Sequence, residues 1–237
     1  MRNIAVILAG GTGRRTGLPL PKQFLSLGGH TVIEHVVETF DTHPAIDEVA
    51  LVTHPDWRDR MQEIVAKNSW SKVAKVVDGG TERYLSSLNA IQAFRDYPDD
   101  TNLLLHDAAR PWVSVEVIDR VVASLQHHDA VGVAIPATDT VWEVASCSEG
   151  HENTVARIPE RRLMWLAQTP QAFRLPLIRE AYRRALQDPD LTATDDCGVV
   201  RRYMPEVEIF VVEGEAANRK ITVREDLGLT GDNNIQL

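Results

Sequence analysis

The sequence predicts an α/β protein built on a Rossmann-like, doubly wound and mostly parallel sheet. Three observations predict it. Short runs rich in Val, Ile and Leu alternate with amphipathic helical patterns along the chain. Several of these runs are apolar on both faces, as in strands covered by helices on both sides. The first run ends in a glycine cluster, where such sheets place a phosphate-binding turn.

The strand-like runs are IAVIL (4–8), EVALVTH (48–54), KVAKVV (72–77), NLLLH (102–106), AVGVAIP (130–136) and EVEIFVV (206–212). The first helical pattern, TVIEHVVETF, begins with Thr31 and carries Glu34 three residues on, a capping-box signature. WRDRMQEIVAKN follows the second strand. In ERYLSSLNAIQAF, Leu85, Leu88 and Ile91 recur at helical spacing. In SVEVIDRVVASLQHH, Val117, Ile118, Val121, Val122 and Leu125 form one apolar stripe. LPLIREAYRRALQ and a final VREDLGL complete the helices.

Residues 138–160 break the rhythm, with two short alternating runs around the polar turn SEGHEN. This predicts a projecting hairpin. A two-stranded excursion is marginal alone, so it is expected to pack against a second subunit; a plain surface loop is the alternative. No repeat, low-complexity tract or linker divides the chain, and a single domain over 1–237 is expected.

The formal net charge of −9 argues against nucleic acid or an anionic membrane surface as partner. No apolar run reaches membrane-spanning length, and Met1-Arg2-Asn3 leads straight into a strand, which leaves no signal peptide; a cytoplasmic protein is expected. Cys147 and Cys197 are far apart and lack metal-ligand spacing, against a disulfide framework or a zinc site. Cys197 lies in an apolar helical stretch and is expected in the core, Cys147 in a polar loop.

On this acidic background the basic cluster in AVILAGGTGRRTGLPLPKQF (5–24) is informative. A dinucleotide fingerprint would need a third glycine where Thr16 stands, and an acidic residue about twenty positions on, which is missing. A P-loop needs lysine directly after its last glycine, whereas Lys22 follows Pro21 and precedes Gln23. What remains is a glycine nest, Gly10, Gly11 and Gly13, whose N–H groups can approach phosphate oxygens. Arg14 or Arg15 can grip a phosphate through two parallel hydrogen bonds, and Lys22, held by Pro19 and Pro21, supplies a compact charge. Such equipment suits a triphosphate attacked at its α-phosphorus.

With LAGGTGRR and LPKQF, further segments occur in order: GGTERYLSS (79–87), HDAARP (106–111), DTV (139–141), IPERR with QTPQAF (158–173), TDD (194–196) and NRKIT (218–222). Together they resemble the cytidylyltransferases that activate polyol phosphates, a family that includes the 2-C-methyl-D-erythritol 4-phosphate and ribitol 5-phosphate enzymes. The likeness spans essentially the whole chain. It implies a sheet of the nucleotide-diphospho-sugar transferase type, with CTP and a polyol phosphate as substrates and Mg²⁺ as cofactor. It also implies a homodimer that exchanges the 138–160 arm to complete the partner's acceptor site.

By that resemblance Arg15 and Lys22 bind the triphosphate and stabilise the pentacoordinate phosphorus, with Arg14 beside them. Lys220 is an acceptor-side residue that can also reach the α-phosphate and act catalytically. Leu8, Ala9, Gly10, Gly11, Gly13, Gly80, Arg83, Ser86 and Ala108 correspond to nucleotide-binding positions, of which Gly80, Arg83 and Ser86 face cytosine and ribose. Asp139, Thr140, Arg161, Thr169 and Thr194 correspond to acceptor positions. Asp107, at the end of NLLLH, suits Mg²⁺, which takes one or two carboxylates besides phosphates and water. His106 reads as packed or hydrogen-bonded, Arg110 as fixing its loop, and Asp195 and Asp196 equally as acceptor-loop residues or helix caps.

HDAARP resembles the methylerythritol branch. Leu8, Thr16, Trp142 and IPERR depart from that branch, and IPERR leans toward the ribitol branch. The narrow preference is for methylerythritol phosphate, because HDAARP adjoins the expected metal ligand. A nicotinamide oxidoreductase is disfavoured by the loop spacing. A catalytically silent nucleotide sensor would be expected to lack Arg15, Lys22 or Asp107, and all three are present.

Overall fold

The computed structural model describes residues 1–11, 20–145, 153–222 and 226. In chain order the first half comprises β1 (Arg2–Ala9), β2 (Ser26–Leu27), β3 (His30–Thr31), α1 (Val32–Thr42), β4 (Glu48–Thr53), α2 (Arg58–Lys67), β5 (Val73–Asp78) and α3 (Arg83–Ala93). The second half comprises β6 (Thr101–Asp107), α4 (Val115–Ser124), β7 (Ala130–Pro136), β8 (Glu143–Val144), β9 (Val155–Arg157), β10 (Trp165–Arg174), α5 (Leu175–Ala185), α6 (Asp196–Tyr203) and β11 (Phe210–Glu213).

Seven strands form one sheet in the order β11-β7-β10-β6-β1-β4-β5. All neighbours pair in parallel except β10, which runs antiparallel to both β6 and β7. Alternate residues of β1 serve opposite layers. Ala5 and Ile7 pack with α1, α2 and α4, whereas Ile4, Val6 and Leu8 pack with α3, α5 and α6. This two-sided burial is why the central strands read as apolar on both faces.

The capping box is present in both halves: the Glu34 amide donates to Thr31 Oγ1 (3.3 Å) and the Thr31 amide donates to Glu34 Oε2 (2.6 Å). In α4 the stripe Val117, Ile118, Val121 and Leu125 is buried as read. Cys197 lies in α6 and packs beside the second layer's core.

Two departures from the sequence reading need a physical account. β10 was not anticipated as a strand, because Pro170 and the polar Gln168, Thr169 and Gln171 interrupt its pattern. The chain accommodates them at a register shift between Gln168 and Gln171, the irregularity at which a proline can sit inside a sheet. The last strand begins only at Phe210, since residues 204–207 close a turn through Val207 N to Met204 O.

In α3 the buried face is Ser86, Ser87, Ala90 and Ile91, while Leu85 and Leu88 are half-buried. Small residues let α3 lie close over β1 and its loop. The final pattern VREDLGL falls outside the described residues except for Asp226, which is helical. Within 138–160, β8 and β9 pair antiparallel, with Glu143 opposite Arg157, and both are exposed.

Ala90 is fully buried on that close face. Ala90→Leu should therefore overpack it and lose ~1–3 kcal/mol in urea unfolding. An unchanged midpoint would show that α3 is not held tightly there.

Candidate active site

Leu8 and Asp107 are register partners at the carboxyl ends of β1 and β6. From this pair the chain departs in opposite directions, β1 toward β4 and β6 toward β7 beyond β10. That divergence is a topological switch point, where open α/β sheets bind ligands. A cleft of about 560 Å³ lies there, lined from the β1 side by Leu8, Ala9, Gly10 and Gly11, and from the β6 side by Asp107, Ala108 and Ala109. Gly80, Arg83, Ser86, Lys22 and Lys220 complete the expected lining.

Close approach explains two glycines. A Cβ on Gly10 would stand 2.9 Å from Ser86 Oγ, and one on Gly80 would collide with Leu85. Ser86 Oγ meanwhile accepts from the Gly80 amide (3.1 Å) and donates to Glu82 O (3.3 Å), pinning the turn before α3. Gln23, which sequence reasoning passed over, is buried and holds the first loop: its Nε2 donates to Ala9 O (2.7 Å) and Gly11 O (3.0 Å). His54, Thr81, Glu82 and Thr222 also line the cleft without having been anticipated.

Asp107 is the electrostatic centre. Its Oδ1 accepts from Arg83 Nε (3.2 Å), its Oδ2 accepts from Lys220 Nζ (2.7 Å), and Arg110 Nε lies 4.0 Å from Oδ2. Burial pushes the carboxyl's pKa up, but Arg83, Lys220 and Arg110 outweigh it and hold the group well below the usual carboxylate range. Arg83 was expected to face the nucleotide. It lines the cleft, but its guanidinium is committed to two carboxylates, with Nη1 donating to the fully buried Asp196 (2.8 Å). Burial opposes the charge on Arg83, and Asp196 and Asp107 more than restore it.

Behind Asp107 runs a chain of neutral hydrogen bonds. The Asp107 amide donates to Thr169 Oγ1 (3.1 Å), and Thr169 Oγ1 lies 3.0 Å from His106 Nδ1. The hydroxyl, already an acceptor, gives its proton to Nδ1, so His106 carries its hydrogen on Nε2 and donates to Arg110 O (3.1 Å). Burial lowers the His106 pKa to about 4 against the opposing pull of these bonds and Asp107, which keeps the imidazole neutral. Thr169, expected to touch the acceptor, is thus buried in the wall with its hydroxyl engaged, and supports Asp107 from behind.

Arg110 fixes its loop, as read, by donating to Asn218 O (2.7 Å) and Ala167 O (3.2 Å). The buried Asn218 Nδ2 in turn donates to Thr169 O (2.8 Å) and Gln168 Oε1 (3.2 Å). The following residues therefore lie along the cleft: the Ile221 amide donates to Ala109 O (2.8 Å), and Lys22 Nζ donates to Ile221 O (3.0 Å). The two expected lysines, distant in sequence, are brought to one short segment.

Other expectations divide. Asp139, Thr140, Arg161 and Thr194 are exposed and do not line this cleft. Arg161 Nη1 donates to Thr138 O (3.2 Å). Asp195 is a helix cap, accepting from the Gly198 amide (2.8 Å), whereas Asp196 is a buried partner of Arg83 and Tyr182. Gly13, Arg14, Arg15 and Cys147 lie outside the described residues.

A glycine-walled, lysine-flanked cleft at the switch point of this sheet defines the class: an α/β nucleotidyltransferase. Comparison with known proteins makes the assignment specific. The family model described as IspD, 2-C-methyl-D-erythritol 4-phosphate cytidylyltransferase, matches residues 3–231. The chain belongs to that family. It is 46% identical to the 2-C-methyl-D-erythritol 4-phosphate cytidylyltransferase of Thermobifida fusca over 96% of this chain and 91% of the relative.

It is also 40% identical, over 95% of this chain and 47% of the relative, to the bifunctional ribulose 5-phosphate reductase/CDP-ribitol pyrophosphorylase Bcs1 of Haemophilus influenzae. Among solved structures, 4-diphosphocytidyl-2C-methyl-D-erythritol synthase from Anaerococcus prevotii aligns with a TM-score of 0.82 and 30% identity, covering 95% of this chain and 92% of the other.

His106 gives a pH prediction. Its folded pKa, about 4, lies below the ordinary imidazole value of 6.5, so between these values the unfolded chain binds the extra proton. Its contribution is fully present above pH 6.5 and is lost as pH falls toward 4, up to roughly 3 kcal/mol. Urea unfolding of wild type at pH 7.5 and 5 should show this loss, and His106→Gln should flatten it. Equal slopes in both proteins would assign the pH dependence elsewhere.

Proposed function

We propose that this chain transfers CMP from CTP to 2-C-methyl-D-erythritol 4-phosphate and releases pyrophosphate. Membership of the family supports the reaction. The observation that carries it to these residues is the placement of Lys220 on Asp107, with Lys22 on the adjacent Ile221 carbonyl, at the cleft of the sheet. An oxygen of the acceptor phosphate attacks the α-phosphorus, the bond to the bridging oxygen breaks, and pyrophosphate leaves with that electron pair. The protein's task is to hold two anions together and to neutralise growing charge. Lys22 and Lys220 are placed to do so, and Arg15 joins them by resemblance.

Among the described residues no group of three His, Cys, Asp or Glu could hold a metal ion by itself. Asp107 nevertheless fits Mg²⁺ in the mode that takes one carboxylate and completes its shell from phosphates and water. Its two oxygens offer about four lone-pair directions, of which the Arg83 and Lys220 bonds use two. When bound, the ion would neutralise phosphate charge beside Asp107.

The proposed functional unit is a homodimer built through the 138–160 arm. The arm and the strand that follows expose Trp142, Val144, Val155, Ile158 and Trp165, with Trp142 61% exposed. Large apolar side chains exposed together on one segment favour an interaction site, and a two-stranded ribbon such as β8–β9 is marginal by itself. No described helix is long and apolar enough to cross a membrane.

Pyrophosphate release from CTP should be fastest with 2-C-methyl-D-erythritol 4-phosphate and at least tenfold slower with ribitol 5-phosphate, about 1.4 kcal/mol of discrimination. The reverse order would reassign the acceptor, and CTP binding without turnover on either would mark a sensor. Lys220→Gln should lower kcat by ~10²–10³, the scale of one preorganised donor. Sedimentation should show a dimer that Trp142→Glu weakens, with the acceptor KM rising and the CTP KM unchanged. A fully active wild-type monomer would sink the shared-site reading.

A further inference from the structure

Asp196 has the chemistry of a buried structural acid and the position of something more. It is fully buried at the first turn of α6, and two side chains converge on it: Tyr182 donates from its hydroxyl to Oδ1 (2.7 Å), and Arg83 Nη1 donates to Oδ2 (2.8 Å). Its own amide donates to Gln171 Oε1 (2.9 Å), and Gln171 Nε2 donates to the neighbouring Asp195 (2.7 Å). The end of the loop carrying Thr194 is thus bolted to β10. Arg83 in turn spans the distance from Asp196 to the cleft, where Nε meets Asp107.

We infer that Asp196 is a positioning residue for nucleotidyl transfer, acting through Arg83 to fix the carboxylate of Asp107 and, beyond it, the ammonium of Lys220. The inference rests on the proposed transfer reaction. Three cations, Arg83, Arg110 and Lys220, stand against two carboxylates, Asp107 and Asp196. Asp196 holds Arg83 at the back of this group. Without its charge the guanidinium is free to swing wholly onto Asp107 or onto the incoming phosphates, and Lys220 loses its fixed seat. Charge in the cleft becomes more positive, so triphosphate binding is preserved while the geometry of transfer is lost.

The test is Asp196→Asn, which keeps the shape while removing the charge and turning one of the two accepting oxygens into a donor, measured by pyrophosphate release and by calorimetric CTP binding. Expected is a fall in kcat of about 10- to 100-fold per CTP-binding site, the scale of a misplaced reacting group. The CTP KM should stay within about threefold of wild type. In an Arg83→Gln background the same change should cost no further activity, because its route of action is already gone. A purely structural role would lower the melting temperature and the fraction of binding sites but leave kcat per site within twofold.

That result, or effects of the two substitutions that multiply, would overturn the inference. If Asp196→Asn does not fold, Tyr182→Phe replaces it, with an expected fall in kcat of about threefold that vanishes in the Arg83→Gln background. No fall, or one that persists there, would equally overturn the inference. An inactive wild type would instead overturn the proposed reaction.

Discussion

The site depends on one buried carboxylate. Asp107 sits at the carboxyl end of β6, 8% exposed, where a charge without partners would cost several kcal/mol. It is tolerated because each oxygen meets a cation, and those cations come from three distant parts of the chain: Arg83 from α3, Arg110 from the loop after β6 and Lys220 from the segment after β11. Satisfying one group therefore fixes three elements relative to the sheet. Arg83, Arg110 and Lys220 outnumber the two carboxylates they meet, Asp107 and Asp196, which leaves this group net positive beside the cleft.

The supports of Asp107 explain features that look unrelated. β10 breaks the parallel sheet and carries polar residues into its interior, yet each has a task. Thr169 receives the Asp107 amide, Gln168 Nε2 donates to Glu215 O (2.8 Å), and Gln171 accepts from the amides of Asp196 and Cys197. Buried polar groups are costly unless bonded, and these bonds hold β10's polar side chains to the segments they meet. The antiparallel strand thus serves as the frame on which the segment bearing Lys220 and the helix bearing Asp196 are mounted.

How much of this was legible in the sequence follows the range of the interactions. β1, β4 and β6 were readable because alternate residues face two apolar layers, a pattern carried within a few residues. Gly10, Gly11 and Asp107 were readable because the ends of such strands are where ligands bind; Lys22 stood out by its charge beside two prolines, and Ala108 came only with the family resemblance. β10 was not, since Gln168, Thr169 and Gln171 look like surface residues until their partners, far along the chain, are known. The spacing of Leu85, Leu88 and Ile91 made α3 readable as a helix but did not point to its buried face, because closeness to the Gly10 loop selects Ser86, Ser87 and Ala90 beside Ile91. Asp196 reads from sequence equally as an acceptor-loop residue or a cap for the same reason: Arg83 and Tyr182 become its neighbours only in the fold.

The residues assigned to the acceptor obey a different physics from those around Asp107. The residues around Asp107 are held within one chain by buried bonds. Asp139, Thr140 and Arg161 stand instead on exposed backbone at the base of the arm, among apolar side chains that face water. A guanidinium and a phosphate 4 Å apart attract by only about 1 kcal/mol in water, and by about 4 kcal/mol where the surroundings resemble a protein surface. Covering the arm with a second copy would move Arg161 from the first regime toward the second, while removing the exposed Trp142 and Val155 from water. In the proposed dimer the apolar residues of the arm and its charged ones would therefore serve one purpose: the former would bring the partner surface that gives the latter their strength.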